Sequence, residues 1–537
     1  MMKKILNIVL LMAVSVAVMA KPAYRGPIVR TAADGTEKIV YLHGNERFHY
    51  MTDEQGNWLD ERSLEPLSEE RKAERQHAGM ARVAKEEQQT EVIGESLNLA
   101  PRGLLILVNF QNVSFRTPVD TIKNMINGDN FTRSYSYTYG KNRYVINSSG
   151  SARKYFKDQS FGQYNPTFDV VGPVTVSKNM AYYGENDKQG YDKRPTEMIK
   201  EACLLANADG VDFTKYDNDN DGKVDFVYVI YAGFGEADGG ADSTIWPHSY
   251  DLYTYGRVRC NVDGKLVDRY ACGCEMSYMS KKYDGIGTFC HEFSHVMGIP
   301  DLYSTDDKTT HKTMGAWDIM DYGPYNNDGN TPPSYSAYER FFFGWMTPRL
   351  LKESKTDVTL KNLNTARDAI MLCKGEPNMV GTNPNPTTFY MLENRQKTGW
   401  DEFLPGEGML LTKVSYDHDK WVWNKINNDP NDMGVDLIEA DGQAPAYVRG
   451  SNNGHHGKEG DAYPAGASYW RNADWALTGI RLDGSHIIHF DYTQLTPIEQ
   501  VQDGNEAEVR KIMRNGQLLI VRDGKEYDLW GRRTTAL

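Results

Sequence analysis

One stretch, GTFCHEFSHVMGIPDLY from Gly287 to Tyr303, restricts the fold of this chain more than any other. His291 and His295 are one helical turn apart, so both rings project to the same side of a helix. Ile286, Phe289, Phe293, Val296 and Met297 recur at helical spacing and supply its apolar face. The spacing therefore predicts a helix from about Ile286 to Met297. Gly298 is placed to end it in the left-handed conformation, and Pro300 prevents it from resuming. The chain must then double back, which brings Asp301 toward the two imidazoles. Two imidazoles and one carboxylate make the three-ligand set of a zinc ion with an open position. Glu292 flanks that point without ligating it and is placed to take a proton from a zinc-bound water.

Two rivals stand beside Asp301 as the third ligand: Glu339, on the later helix SYSAYERFFFGW, and His311. The order His291, His295, Gly298, Asp301 resembles the metzincin consensus HExxHxxGxxH, with aspartate in place of the last histidine. That resemblance singles out Met320, in the turn-rich segment GAWDIMDYGPY, as the methionine beneath the metal. Tyr322 then becomes a donor to the oxyanion of the tetrahedral intermediate. The bland readings are a packing methionine and a packed tyrosine.

A second cation site is written in YDNDNDGKVDF. Asp217, Asp219 and Asp221 alternate before Gly222, and Asp225 follows, as at the first nine positions of a calcium loop. Lys223 would contribute its carbonyl. Tyr228 stands where an EF-hand carries its bidentate glutamate, and the next segment reads as a strand, so the EF-hand frame is missing. Glu236, Asp238 and Asp242 are the expected sources of further ligands. The alternative is an acidic turn without an ion.

The chain is 537 residues long with a formal charge of −13, which suits a soluble acidic protein of two or three domains and argues against a nucleic-acid surface. Residues 1–20 read as a signal peptide: two lysines, an apolar run, and small residues before a cut ahead of Lys21. The run is short for a membrane span, so the mature chain is expected to be secreted or at the cell surface, or in a periplasm. Residues 21–98 read as short strands followed by a charged stretch, a prosegment, the alternative being an ordinary N-terminal β-domain. The prosegment has no cysteine, which excludes a thiolate latch on the metal and leaves a carboxylate or steric cover. Mixed strands and helices occupy 99–350. Short strands over 351–497 read as a β-sandwich, and 498–537 as a hairpin tail turning at Asp523–Gly524. The six cysteines read as structural or free thiols; the alternatives are a Cys260 bridge to Cys272 or Cys274 across a short hairpin, and a C-x-C metal site.

Taken together these motifs resemble the immune inhibitor A family of secreted metallopeptidases. HEFSHVMGIPDLY is similar to that family's HExxHxxGxPDxY, WDIMDYG to its methionine turn, and the segment from YDNDNDG to WPHS to its Asp-rich loop and following strand. FYMLENRQKTGWDEFLPGEGMLLTKV and GDAYPAG resemble the β-domain after its catalytic domain. Tyr231 departs from the pattern, standing where the family has histidine. The resemblance implies an α+β, metzincin-like zincin: a calcium-supported zinc endopeptidase, made with a prosegment and acting as a monomer on protein or peptide substrates. Two other functions fit the same residues: a calcium-stabilised adhesion module on a relic peptidase scaffold, and a zinc amidase acting on cell-wall amides.

Overall fold

The computed structural model describes residues 20–32, 34–46, 48–75, 102–187, 190–306, 311, 313–443 and 457–495, with the backbone of three further strands between 510 and 527. The leader, most of the charged stretch after the N-terminal strands, and the Asp523–Gly524 turn lie outside the described residues. The first described unit is an antiparallel sheet of β1 (Pro27–Thr31), β2 (Glu37–Gly44), β3 (His49–Thr52) and β4 (Trp58–Leu59), in that order.

A five-stranded sheet organises the next unit. Its strands are β5 (Arg102–Asn109), β8 (Thr167–Thr175), β9 (Val227–Phe234), β10 (His248–Asp251) and β13 (Arg269–Met276), in the order β10-β13-β9-β5-β8. β5 runs parallel to both neighbours and β9 parallel to β13, while β10 is antiparallel at the edge. The unbroken apolar run GLLILV in β5 is buried on both faces, as expected of a central parallel strand. A separate two-stranded ribbon, β6 (Thr132–Tyr139) with β7 (Asn142–Ser149), projects beside the sheet. β11 (Cys260–Val262) and β12 (Lys265–Val267) form a small hairpin.

The helix carrying the two histidines, α1 (Ile286–Val296), lies on one face of this sheet. Phe289 meets Phe168 and Tyr228 at ring-centroid distances of 5.0 and 4.4 Å, and Phe293 meets Phe226 at 4.9 Å. The aromatic stripe thus fixes the helix's rotation and sends His291 and His295 away from the sheet. The later helix, α2 (Ala337–Phe342), is shorter than its sequence suggests. Trp345 N–H turns back onto the Arg340 carbonyl, and Gly344 takes a φ of +69°.

Beyond residue 350 two sheets face each other. One has the order β14 (Arg349–Leu350), β16 (Ala369–Cys373), β17 (Thr388–Arg395), β18 (Gly408–Ser415) and β19 (Val435–Leu437); the other, β15 (Lys355–Leu360), β22 (Ile488–Gln494), β21 (Trp475–Leu482) and β20 (Trp470–Arg471). Ile370, Leu372 and Leu411 pack with Val358, Leu477 and Phe490 in a core between them. The intervening residues, Met371, Met391 and Leu410, point the other way and join the core of the first unit. β16 is therefore apolar at consecutive positions rather than alternating, because it is covered on both faces. One-turn helices at Leu363–Ala366 and His418–Val422 interrupt the strands, each begun by an Asn or Asp cap and too short to leave a period in the sequence. The tail strands β23 (Arg510–Arg514), β24 (Gln517–Arg522) and β25 (Lys525–Tyr527) form an antiparallel sheet, one strand more than the expected hairpin.

All six cysteines are free thiols, and the alternative bridge from Cys260 to Cys272 or Cys274 is not formed. The Cys260 thiol lies against that of Cys203, on the helix Pro195–Ala208, and not against Cys272 or Cys274. Cys272 and Cys274 belong to the central sheet, whereas Cys260 lies in the small hairpin.

Candidate metal centre and its cleft

α1 ends where the sequence predicts: Gly298 has a φ of +98°, and its N–H returns to the His295 carbonyl at 2.8 Å. Three donor atoms then converge. The two Nε2 atoms of His291 and His295 are 3.0 Å apart, and Asp301 Oδ1 lies 3.2 and 3.1 Å from them. All three side chains are fully buried. A tetrahedral zinc with bonds of roughly 2.0–2.1 Å spaces its ligand atoms only slightly wider than this.

The surrounding hydrogen bonds test whether a metal fits. His291 Nδ1 bonds the Ile319 carbonyl at 2.7 Å and His295 Nδ1 the Ile299 carbonyl at 2.8 Å. Because a carbonyl only accepts, each ring carries its proton on Nδ1 and directs a lone pair from Nε2 inward. Asp301 Oδ1, the atom facing them, has no hydrogen-bond partner. Two lone pairs and an unpartnered carboxylate oxygen converging in a buried site call for a cation, and N₂O donors suit zinc.

The turn bearing Ile319 explains Met320. Met320 is fully buried and follows Ile319, whose carbonyl holds His291; its N–H bonds Asp318 Oδ1 at 2.7 Å and its carbonyl accepts from Leu302 N–H at 2.8 Å. Glu339 and His311 are spent elsewhere. Glu339 Oε2 caps its own helix through Ser336 N–H at 2.6 Å, and His311 Nε2 bonds the Asn427 carbonyl at 2.6 Å.

Asn424 is the residue that sequence reasoning misses. Its side chain grips Asp301 from both ends: Oδ1 accepts from Asp301 N–H at 2.8 Å, and Nδ2 donates to Asp301 Oδ2 at 2.6 Å. It arrives from the β-rich half of the chain after the one-turn helix His418–Val422, with a φ of +52°. No local pattern marks it. Asn424→Ala is expected to weaken zinc binding roughly 10–100-fold, the usual effect of removing a group that orients a ligand. Chelator competition measures this, and an unchanged affinity would deny Asn424 the role.

Glu292 is fully buried beside the triad, and burial pushes its carboxyl well above the usual range. Oε1 accepts the backbone N–H of Lys21 at 2.9 Å, while Oε2 has no partner. Lys21 belongs to an N-terminal segment lying in the cleft. The Ala20 carbonyl accepts from the Tyr303 hydroxyl, the Lys21 carbonyl from Trp246 Nε1 at 3.2 Å, and the Pro22 carbonyl from the Tyr325 hydroxyl at 2.7 Å. Tyr24 N–H bonds the Ala237 carbonyl at 2.8 Å, and its ring lies against Tyr322 and Tyr325. The Tyr322 hydroxyl faces the backbone of Arg25. Tyr231, the departure from the family pattern, is buried with its hydroxyl on the Ile245 carbonyl, just ahead of Trp246.

The Asp-rich loop lies elsewhere. Carboxylate oxygens of Asp217, Asp219 and Asp225 fall within 4.8 Å of one another, and Lys265 Nζ bonds Asp217 Oδ2 at 2.5 Å. Asp221 Oδ1 instead accepts from Lys223 N–H at 2.7 Å. Glu236, Asp238 and Asp242 do not join the loop. Their partners are His49, Lys21 and Arg62 of the N-terminal segment, at 3.0, 2.6 and 3.6 Å.

A mixed α/β unit presenting two histidines of one helix and a following aspartate to a single point is the architecture of a metallopeptidase domain. Residues 98–346 match the family profile described as immune inhibitor A peptidase M6, catalytic domain. Immune inhibitor A of Bacillus thuringiensis subsp. alesti is 30% identical over 217 residues, covering 36% of this chain and 31% of that protein. The pre-pro-metalloprotease PrtV of Vibrio cholerae serotype O1 (strain M66-2) is 29% identical over 217 residues, covering 36% of this chain and 23% of its own length. The chain thus spans less than a third of the length of these relatives.

Proposed function

We propose that the protein is a secreted, zinc-dependent endopeptidase, with a prosegment over 21–98, a metzincin-like catalytic domain over 99–350 and a β-sandwich over 351–497. The convergence of His291, His295 and Asp301 on one point, with Asp301 Oδ1 unpartnered, carries this reading. Zinc, when bound, supplies Lewis-acid polarisation and a water of lowered pKa. Glu292 takes the proton of the attacking water as the C–O bond forms, and delivers it to the leaving nitrogen so that the C–N bond of the tetrahedral intermediate can then break. Tyr303 supplies its hydroxyl to the carbonyl oxygen as charge develops on it, and Tyr322, whose hydroxyl faces Arg25 while the cleft is covered, joins it once the N-terminal segment has left.

The N-terminal segment is the cover that keeps this site latent. It holds Glu292 through a backbone N–H and needs no cysteine. With the leader removed before Lys21, that nitrogen becomes an α-ammonium and the hydrogen bond an ion pair. The name of the Vibrio relative records a pre-pro form of that protein, and we read the same organisation here. Calcium at Asp217, Asp219, Asp221, the Lys223 carbonyl and Asp225 is a further part of the proposal, supported by the close approach of three of these carboxylates. Calcium addition is expected to raise the unfolding temperature, and Asp219→Ala to abolish that rise; a rise that survives in the variant would place calcium elsewhere.

Metal analysis with casein digestion by the mature form, freed of its N-terminal segment, tests the function. About one zinc per chain is expected for a site of this ligand set, with digestion lost to 1,10-phenanthroline and restored by zinc. Hydrolysis indifferent to the chelator would sink the reading. The intact general base favours it over an adhesion module.

A further inference from the structure

The contacts of Lys21 identify a specificity pocket, on the understanding that the cleft is that of a peptidase as proposed above. In peptide hydrolysis the base must reach the leaving nitrogen. The nitrogen that meets Glu292 here is that of Lys21, at 2.9 Å, and the carbonyl before it is held by the Tyr303 hydroxyl. Lys21 therefore stands where a substrate places the residue just after the bond to be cut.

The side chain of Lys21 enters a pocket built to receive it. Its Nζ donates to Asp238 Oδ1 at 2.6 Å and to Thr288 Oγ1 at 3.0 Å, and lies 4.7 Å from the centre of the Tyr325 ring. Thr288 in turn donates to Asp284 Oδ2 at 2.8 Å. Lys21 is 1% exposed, and Asp238 and Asp284 are each 8% exposed. Burial opposes the charge of Lys21, but Asp238 and Asp284 outweigh it and hold the ammonium protonated. Thr288 is on the same helix as Glu292, one turn earlier, so the distance from pocket to base is set by the helix itself. A cavity of about 350 Å³ adjoins the pocket and leaves room for a longer basic side chain.

We propose that Asp238, Asp284 and Thr288 form the subsite for the residue following the scissile bond, and that this subsite selects substrates with lysine, or arginine, at that position. Two buried carboxylates around one cation make the selection. A neutral or acidic side chain would leave a buried charge unpaired, which costs far more than a missing apolar contact. Lys21 satisfies the same pocket from within the chain, so the residue that blocks the site is also a copy of what the site reads.

The test uses the zinc-loaded chain carrying Lys21→Ala, after limited proteolysis behind the N-terminal segment has released that cover and opened the cleft. Peptides of one sequence carry lysine, arginine, norleucine or glutamate after the scissile bond. The lysine and arginine peptides are expected to show kcat/KM at least about 100-fold above norleucine, in the range set by an unpaired buried polar group. Asp238→Asn and, separately, Asp284→Asn are expected to collapse that ratio. Cleavage without preference would overturn the subsite and leave the peptidase reading intact. If no peptide is cleaved, the peptidase reading fails, and calorimetry of the lysine and norleucine peptides decides the pocket. Tighter binding of lysine by about tenfold or more supports it, and equal affinity overturns it.

Discussion

Glu292→Gln is expected to reduce kcat/KM by about a thousandfold or more while zinc stays bound at full stoichiometry, since a positioned general base contributes roughly 10²–10⁴. The substitution keeps the size of the side chain and an oxygen able to accept the Lys21 N–H seen at 2.9 Å. It removes only the ability to take a proton. Measuring metal content beside kcat/KM separates loss of the base from loss of the site. Retained hydrolysis with retained zinc would remove Glu292 from the mechanism and with it the proposed route of the proton.

Asp301→Ala is expected to lower zinc affinity by well over the roughly 10–100-fold cost of disturbing an outer-shell partner, because it deletes a ligand atom and leaves two imidazoles. Glu339→Ala, its control, is expected to leave zinc affinity unchanged. Glu339 spends its carboxylate on Ser336, so its loss is a helix-cap defect costing about 1 kcal/mol of stability. Equilibrium dialysis against a zinc buffer distinguishes the two. The reverse outcome, with Glu339→Ala losing zinc and Asp301→Ala keeping it, would refute the ligand set even if the protein hydrolysed peptides.

The two variants also mark how far local pattern carries. The apolar spacing of Ile286, Phe289 and Phe293, the Gly298 stop and the Pro300 block are near-neighbour effects, and they sufficed to bring Asp301 to the histidines. The central strands were legible for the same reason, as unbroken apolar runs. What stayed hidden was held together across long separations. Asn424 reaches Asp301 from a one-turn helix with no period. Asp238 and Glu236 read as calcium ligands because they stand in an acidic, glycine-rich turn, yet their partners are Lys21 and His49, far back in the chain. Cys203 meets Cys260 through packing of a helix on a hairpin, a contact that spacing between cysteines does not encode.

The grip of Asn424 on Asp301 separates two boundaries that are easily confused. The match to the catalytic-domain profile ends at residue 346, but the physical unit does not. Met371, Met391 and Leu410 complete the core beneath α1, Glu393 holds the N-terminus of α2 through Ala337 N–H, and Asn424 orients a metal ligand. What the profile covers is thus, mechanically, half of an object. The later strands act as the far jaw of a clamp whose near jaw is the HExxH helix, so a chain cut at residue 346 would keep the two histidines and lose the means of holding the third ligand in place.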